Sequence, residues 1–409
     1  MTSAHVLPEL THAEGGAAAP LGFSCSGVSA GLKSRGRLDL ALVAASRTVP
    51  AAAVFTTNLV AAAPVVVSRR HSVGGEARAV VINAGNANAC TGARGELDAL
   101  TMAHAAAEAL NCPPEHIIVS STGVIGVPLP VAKIVSAIPL AVTGLDVESG
   151  QRAAEAIMTT DTFAKQTALT LKVAERTYTV GGMAKGSGMI APNMATMLAV
   201  ITTDAPLKSE ACDAALRTAV GSTFNRVTVD SDMSTNDMAV LMASGEAGGE
   251  EIGSGDAAFA PLAAAVHGVA EELARMIARD GEGASKLITV TVSGAATESD
   301  AELTAFAIAN SPLVKTAIFG RDANWGRVAM AIGKSGAHVD PRAFDITLAG
   351  VAVCRAGAGL VFDEAAVLGA LSESEVEIAV DLHVGDRRAT VWTCDLTYDY
   401  VRINGEYRS

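Results

Sequence analysis

Apolar residues recur along the chain with two periods, and the alternation between them predicts a mixed α/β protein. AVVINA (79–84), HIIVSS (116–121), TALTLKVA (167–174) and RVTVDS (226–231) read as strands: they are short, rich in β-branched residues and bounded by turn residues. ELDALTMAHAAAEAL (96–110) has helical spacing. So does DAAFAPLAAAVHGVAEELARMIARD (256–280), which closes on basic residues that complement a helix dipole. TMLAVITT (196–203) is apolar on both faces, the pattern of a doubly buried strand whose first residue is Thr196. Strands and helices do not alternate with strict βαβ regularity, which favours an α/β sandwich over a barrel. A domain boundary is expected after Gly283, where strand-like KLITVTVSG opens a region of smaller units. The polar start, MTSAHVLPELTHAEGG, reads as a loose tail.

Composition narrows the class. Half of the 409 residues are apolar but only 4% are aromatic, so the core must be built from Ala, Val, Leu and Ile. No uninterrupted apolar run approaches the ~18 residues of a membrane span. The start also lacks the basic and apolar regions of a secretory signal, so a cytoplasmic protein is expected. A net charge of −13 argues against nucleic acid or an anionic membrane as partner. The six cysteines are scattered without a C-x-x-C pair, and the eight histidines form no ligand cluster. Free thiols and no metal site are the expectation.

The richest chemistry lies in GGMAKGSGMIAPNMATMLAVITTD (181–204). A glycine-rich loop passes Pro192 and reaches Ala195-Thr196 at the mouth of the doubly buried strand. A small residue followed by a hydroxyl residue at such a seam is what self-cleavage requires. The Thr196 hydroxyl attacks the Ala195 carbonyl, and hydrolysis of the ester leaves Thr196 as a new N-terminus. That residue then carries a nucleophile and an α-amine able to act as its base. On spacing alone, a Gly-rich loop entering an ordinary strand is the simpler reading and is favoured over catalysis.

Long motifs in one order decide the matter. K-G-S-G-M-I-A-P-N-M-A-T-M-L resembles the cleavage segment of the ornithine acetyltransferase (glutamate N-acetyltransferase) family. VINAGNANACTG (81–92), SSTGVIG (120–126), IMTTDT (157–162), FNRVTVDSDMSTND (224–237), DGEGASKL (280–287), NSPLVKTAIFGRDANWGRVAMAIGK (310–334) and CDLTYDYVRINGEYRS (394–409) follow in that family's order. The resemblance implies an αββα sandwich like that of amine-terminal nucleophile hydrolases, with a smaller C-terminal α/β domain at about 284–409. It implies cleavage at Ala195-Thr196 into an α chain (1–195) and a β chain (196–409), paired as two of each. Acetyl would pass from N2-acetylornithine to glutamate through Thr196 in arginine biosynthesis, without a cofactor, and acetyl-CoA stays open as a second donor. By the same resemblance Thr122 and Gly123 form the oxyanion hole, while Thr162, Lys185, Thr196, Glu282, Asn404 and Ser409 contact substrate. Glu282 would face the distal ammonium of ornithine.

Two rivals keep the fold: an amidase or aminopeptidase with water as acceptor, and a non-catalytic binding protein with an intact chain. Three motifs are set aside. Gly27-Val28-Ser29-Ala30-Gly31 satisfies G-x-S-x-G, but neither the strand before nor the helix after it is convincing. Gly333-Lys334-Ser335 ends like a phosphate loop, yet Val328 stands where the first glycine belongs. DSDMSTND (230–237) has metal-like acid spacing without the glycine and closing glutamate of a calcium loop, and reads as a hydrogen-bonded turn.

Overall fold

A computed structural model of the chain describes residues 9–191 and 197–406. Its larger unit is built on strands β1 (Leu10–Ala13), β2 (Phe23–Val28), β3 (Leu40–Phe55), β4 (Glu76–Asn86), β5 (Ile117–Val124), β6 (Lys165–Val173), β7 (Arg176–Lys185), β8 (Leu198–Thr203) and β9 (Met238–Ala243). They run in the order β1-β6-β7-β8-β9-β3-β4-β5, with β2 on β3. The long strand β3 belongs to two leaves. Leu40–Ala44 pair with β2 and β4, and after a register shift between Ala44 and Val49, Ala51–Phe55 pair with β9.

The burial pattern shows why the sequence needs two leaves. Met183, Val200 and Val240 of one leaf meet Val43, Val80 and Ile82 of the other in a buried core between them. The outer face of the first leaf (Leu169, Val180, Ile201, Leu241) packs on helices Ser209–Ser222 and Phe259–Arg279 through residues such as Leu216 and Leu273. That of the second (Leu42, Val81, Val119) packs on helices Gly92–Leu110 and Val131–Thr143 through Met102 and Ile138. The result is an αββα sandwich. Successive residues of β8 alternate between two apolar layers, so LAVITT carries no solvent face.

A second, six-stranded sheet starts at Leu287–Ala295 and has its own core, with Val290, Ile346, Ile378 and Val391 beneath Ile308 and Ile332. Leu287, Trp392 and Cys394 join the core of the larger unit. The helix Tyr398–Glu406 returns to that unit, where the Tyr400 hydroxyl donates to Asp230 (3.3 Å). No helix among the described residues is long and apolar enough to cross a membrane.

Four local expectations are corrected. The polar start is no loose tail from Leu10 on: β1 pairs antiparallel with β6, and Leu10 packs against the core. RVTVDS forms no strand. Only Val227 bridges, to Trp392, and the rest turns away to hold a neighbouring loop. A strand, β2, does precede the G-x-S-x-G match, although only a three-residue 3-10 turn, Ser34–Gly36, follows it. The strand expected at 116–121 runs on through Thr122 and Gly123 as far as Val124.

Candidate active site

Strand β5 runs parallel to β4, and their register slips where Gly85 and Asn86 face Thr122 and Gly123. Gly123 has φ +128, and a Cβ there would overlap the Gly85 carbonyl carbon and the Asn86 nitrogen. Only glycine fits that close approach. Beside it Thr122 is buried, and its hydroxyl accepts from Lys185 Nζ (3.3 Å).

Lys185 was expected in a flexible loop, and it is instead the buried last residue of β7, opposite Leu198 in the ladder. Burial holds its ammonium below the ordinary lysine range, and the nearby Asp161 carboxylate opposes that shift. Burial likewise opposes ionisation of Asp161. Lys185 and Lys165 outweigh it and hold that carboxyl well below the usual carboxylate range. Lys165, fully buried, pairs with Asp161 (2.7 Å) and Asp280 (2.5 Å). Asp161 also accepts the Gly186 amide (2.8 Å), which fixes the start of the glycine loop.

Thr162 belongs to this network. Its amide and its hydroxyl both donate to Asp280, and it does not line the cavity described next. Glu282 lies in the turn after helix Phe259–Arg279. Its amide donates to the Ser187 carbonyl (2.7 Å), and its carboxylate accepts from Asn404 Nδ2 (2.8 Å). A Cβ on Gly188 would run into that carboxylate, so a glycine there lets the acid lie against the chain.

Thr122, Gly123, Lys185, Glu282 and Asn404 line one cavity of about 130 Å³, together with Thr159, Thr160, Ser234 and Asn236. Residues drawn from six separate stretches of chain thus meet at one place. A larger open groove of about 750 Å³ along Ala51–Phe55 holds none of the expected site residues. Ala195, Thr196 and Ser409 lie outside the described residues. Met197, bonded directly to Thr196, is described, and its amide donates to Asp237 (3.0 Å).

The cavity sets a cation, Lys185, and a carboxylate, Glu282, in the wall of one small space, with a hydroxyl and a glycine backbone beside them. That arrangement suits a zwitterionic amino-acid derivative and can supply donors to an oxyanion. No group of three or more His, Cys, Asp or Glu able to hold a metal occurs among the described residues. Sequence reasoning missed Thr159, Thr160, Ser234 and Asn236 in the wall and Asp161, Lys165 and Asp280 behind it. The first two and Asp161 sit inside the quoted IMTTDT motif, and Ser234 and Asn236 inside DSDMSTND.

Comparison with known proteins agrees over nearly the full length. The model of the ArgJ family matches residues 24–409. The arginine biosynthesis bifunctional protein ArgJ of Symbiobacterium thermophilum is 53% identical over 97% of this chain and 99% of its own. Its namesake from Caldanaerobacter subterraneus subsp. tengcongensis is 50% identical over 95% and 98%, and that of Geobacter sulfurreducens 48% over 95% and 99%. Such identity from end to end, in a chain whose cavity gathers the residues quoted from the family's motifs, has one explanation: the chain belongs to the ArgJ family.

Proposed function

We propose that the chain is an acyltransferase of arginine biosynthesis that moves acetyl from N2-acetylornithine to glutamate. Thr196 first frees itself. Its Oγ bonds to the Ala195 carbonyl carbon as the C–N bond breaks and the proton passes from oxygen to nitrogen. Water then hydrolyses the ester, leaving a carboxylate on Ala195 and a free hydroxyl and α-amine on Thr196. In the transfer cycle Thr196 Oγ takes acetyl from acetylornithine, the α-amine shuttles the protons, and ornithine leaves. Glutamate attacks the acetyl ester to give N-acetylglutamate. Thr122 and the Gly123 backbone stabilise the oxyanion, Lys185 meets the α-carboxylate, and Glu282 meets the distal ammonium. Ser409 completes the substrate contacts in this reading, while Thr162, bonded to Asp280 behind the wall, holds the buried network instead of touching substrate. The reaction uses no cofactor, and acetyl-CoA serves as a second donor. The enzyme is cytoplasmic, with two α and two β chains.

What carries the reading is the single cavity shared by Thr122, Gly123, Lys185, Glu282 and Asn404. The test is acetyl transfer to glutamate with acetylornithine and acetyl-CoA offered separately. Product from acetylornithine supports the proposal, and product from both supports the second donor. Acetate released at the same rate without glutamate would instead make the protein an amidase.

Asn404→Ala is expected to lower transfer kcat/KM roughly tenfold, the lower end of what an exposed hydrogen bond to a charged group contributes. Self-cleavage should be unaffected, because the helix Tyr398–Glu406 acts on substrate placement. Wild-type kinetics would take Asn404 out of the site.

A further inference from the structure

The loop DSDMSTND, which the proposed function leaves unused, touches both flanks of the cleavage segment. On the upstream side the Asp230 carboxylate accepts the amides of Met189 (2.7 Å) and Ile190 (2.8 Å), and the Val229 amide donates to the Ile190 carbonyl (2.9 Å). Downstream, the Asp237 carboxylate accepts the Met197 amide (3.0 Å). The residues between Ile190 and Met197 include the Ala195-Thr196 bond. One short loop therefore grips the chain on either side of the bond to be cut. The grip is also tied to the oxyanion strand: the Asn236 amide nitrogen donates to the carbonyls of Ser121 (2.8 Å) and Ala87 (2.7 Å). Asn236 and Asp237 are 4% and 1% exposed, so neither is a solvated loop residue.

We propose that this loop is the brace of self-cleavage, with Asp230, Asp237 and Asn236 as positioning residues. Attack of a hydroxyl on the preceding carbonyl needs the two groups held in a narrow range of geometries that a free segment seldom visits. Pinning both flanks of a short segment removes most of the competing conformations before the reaction starts. Asn236 ties the end of the loop to the strand that carries Thr122 and Gly123, which would stabilise the oxyanion in cleavage as in transfer. The inference rests on Thr196 self-cleavage and extends it by naming what prepares the bond.

The experiment follows the half-time of cleavage in freshly synthesised protein by pulse-chase and gel. Asp237→Ala should cleave about 10²-fold more slowly, the cost of a misplacement of about 1 Å, and Asp230→Ala should also be slow. The Met197 amide meets one Asp237 oxygen, so Asp237→Asn keeps the acceptor and should restore cleavage to within a few fold of wild type, whereas Asp230 accepts through both oxygens and Asp230→Asn should restore it only in part. Asp237→Glu keeps the carboxyl group but moves the acceptor, and should be slow. Thermal melting of each variant in a Thr196→Ala background separates loss of fold from loss of positioning, since the brace predicts slow cleavage in chains that melt like their parent. Alanine or Asp237→Glu variants that cleave at the wild-type rate would overturn the brace alone. Asp237→Asn as slow as Asp237→Ala would also overturn it, in favour of a role for the carboxyl group itself. Wild-type protein that never cleaves would overturn the self-cleavage reading and the brace together.

Discussion

Thr196→Ala is expected to leave the chain whole and to abolish acetyl transfer, while the wild-type protein runs as two fragments, residues 1–195 and 196–409. Alanine lacks the oxygen that attacks the Ala195 carbonyl, so the peptide bond survives. With the bond intact, residue 196 has neither a nucleophile nor a free α-amine, and no acetyl ester can form. Both losses come from one atom, which makes this the largest effect any single substitution should have. Intact mass spectrometry of fresh protein checks it. The variant should give a single 41.4 kDa species, and the wild type should not. Thr196→Ser keeps the hydroxyl and should still cleave, more slowly. A wild-type chain that stays at full mass yet transfers acetyl at full rate would remove the amine-terminal mechanism altogether.

Thr122→Ala should lower kcat for acetyl transfer by about 10²–10³, or roughly 2.7–4 kcal/mol, with KM little changed. The hydroxyl lines the cavity wall, and in the proposed mechanism it donates to the developing oxyanion and gains most from that charge in the transition state. Lys185 donates to the same oxygen, which leaves the hydroxyl hydrogen free to point elsewhere. Steady-state transfer kinetics decide the matter: an unchanged kcat with a raised KM would make Thr122 a ground-state contact instead. Gly123 offers no such clean substitution, because a Cβ there collides with backbone.

Much of the fold is legible where a local pattern and its tertiary role coincide. TALTLKVA and LAVITT are strands, and of the two helices read from the sequence, 256–280 covers the leaf those strands form while 96–110 covers the other. Reading fails where a distant partner decides. LTHA has no strand pattern of its own, but β6 offers its edge and the ladder completes. RVTVDS has the alternation of a strand, yet its backbone is taken up by Trp392 and Ile190 instead of a neighbouring strand. The glycines before Lys185 read as a loop. In the structure they are strand residues, and glycine is required because a Cβ on Gly181 would strike the Gly16 carbonyl and one on Gly182 would crowd Val269.

The site follows the same rule. Thr122, Gly123, Lys185, Glu282 and Asn404 are named through the family resemblance, and no spacing in the sequence could place them around one cavity. Their neighbours in the wall stayed hidden because buried hydroxyls and amides look like ordinary turn residues until their partners are known. The Asp161–Lys165–Asp280 network is likewise invisible, since a lysine opening a strand gives no sign that nearby Asp161 and distant Asp280 will both pair with it.

The strand order has a consequence for the cut protein. β8 and β9, which follow Thr196, stand between β7 and β3, which precede it. After the proposed cut the β8–β9 pair would still need strands of the first fragment on both its sides, and the ladders β7–β8 and β3–β9 would cross from one fragment to the other. No pair of complementary surfaces exists that could simply come apart. Separating the pieces means breaking the central ladders and opening the core between the leaves, which is to say unfolding both. Dilution should not part them, and neither fragment should be recoverable alone as a folded protein. Their association has no dissociation constant distinct from the stability of the whole molecule.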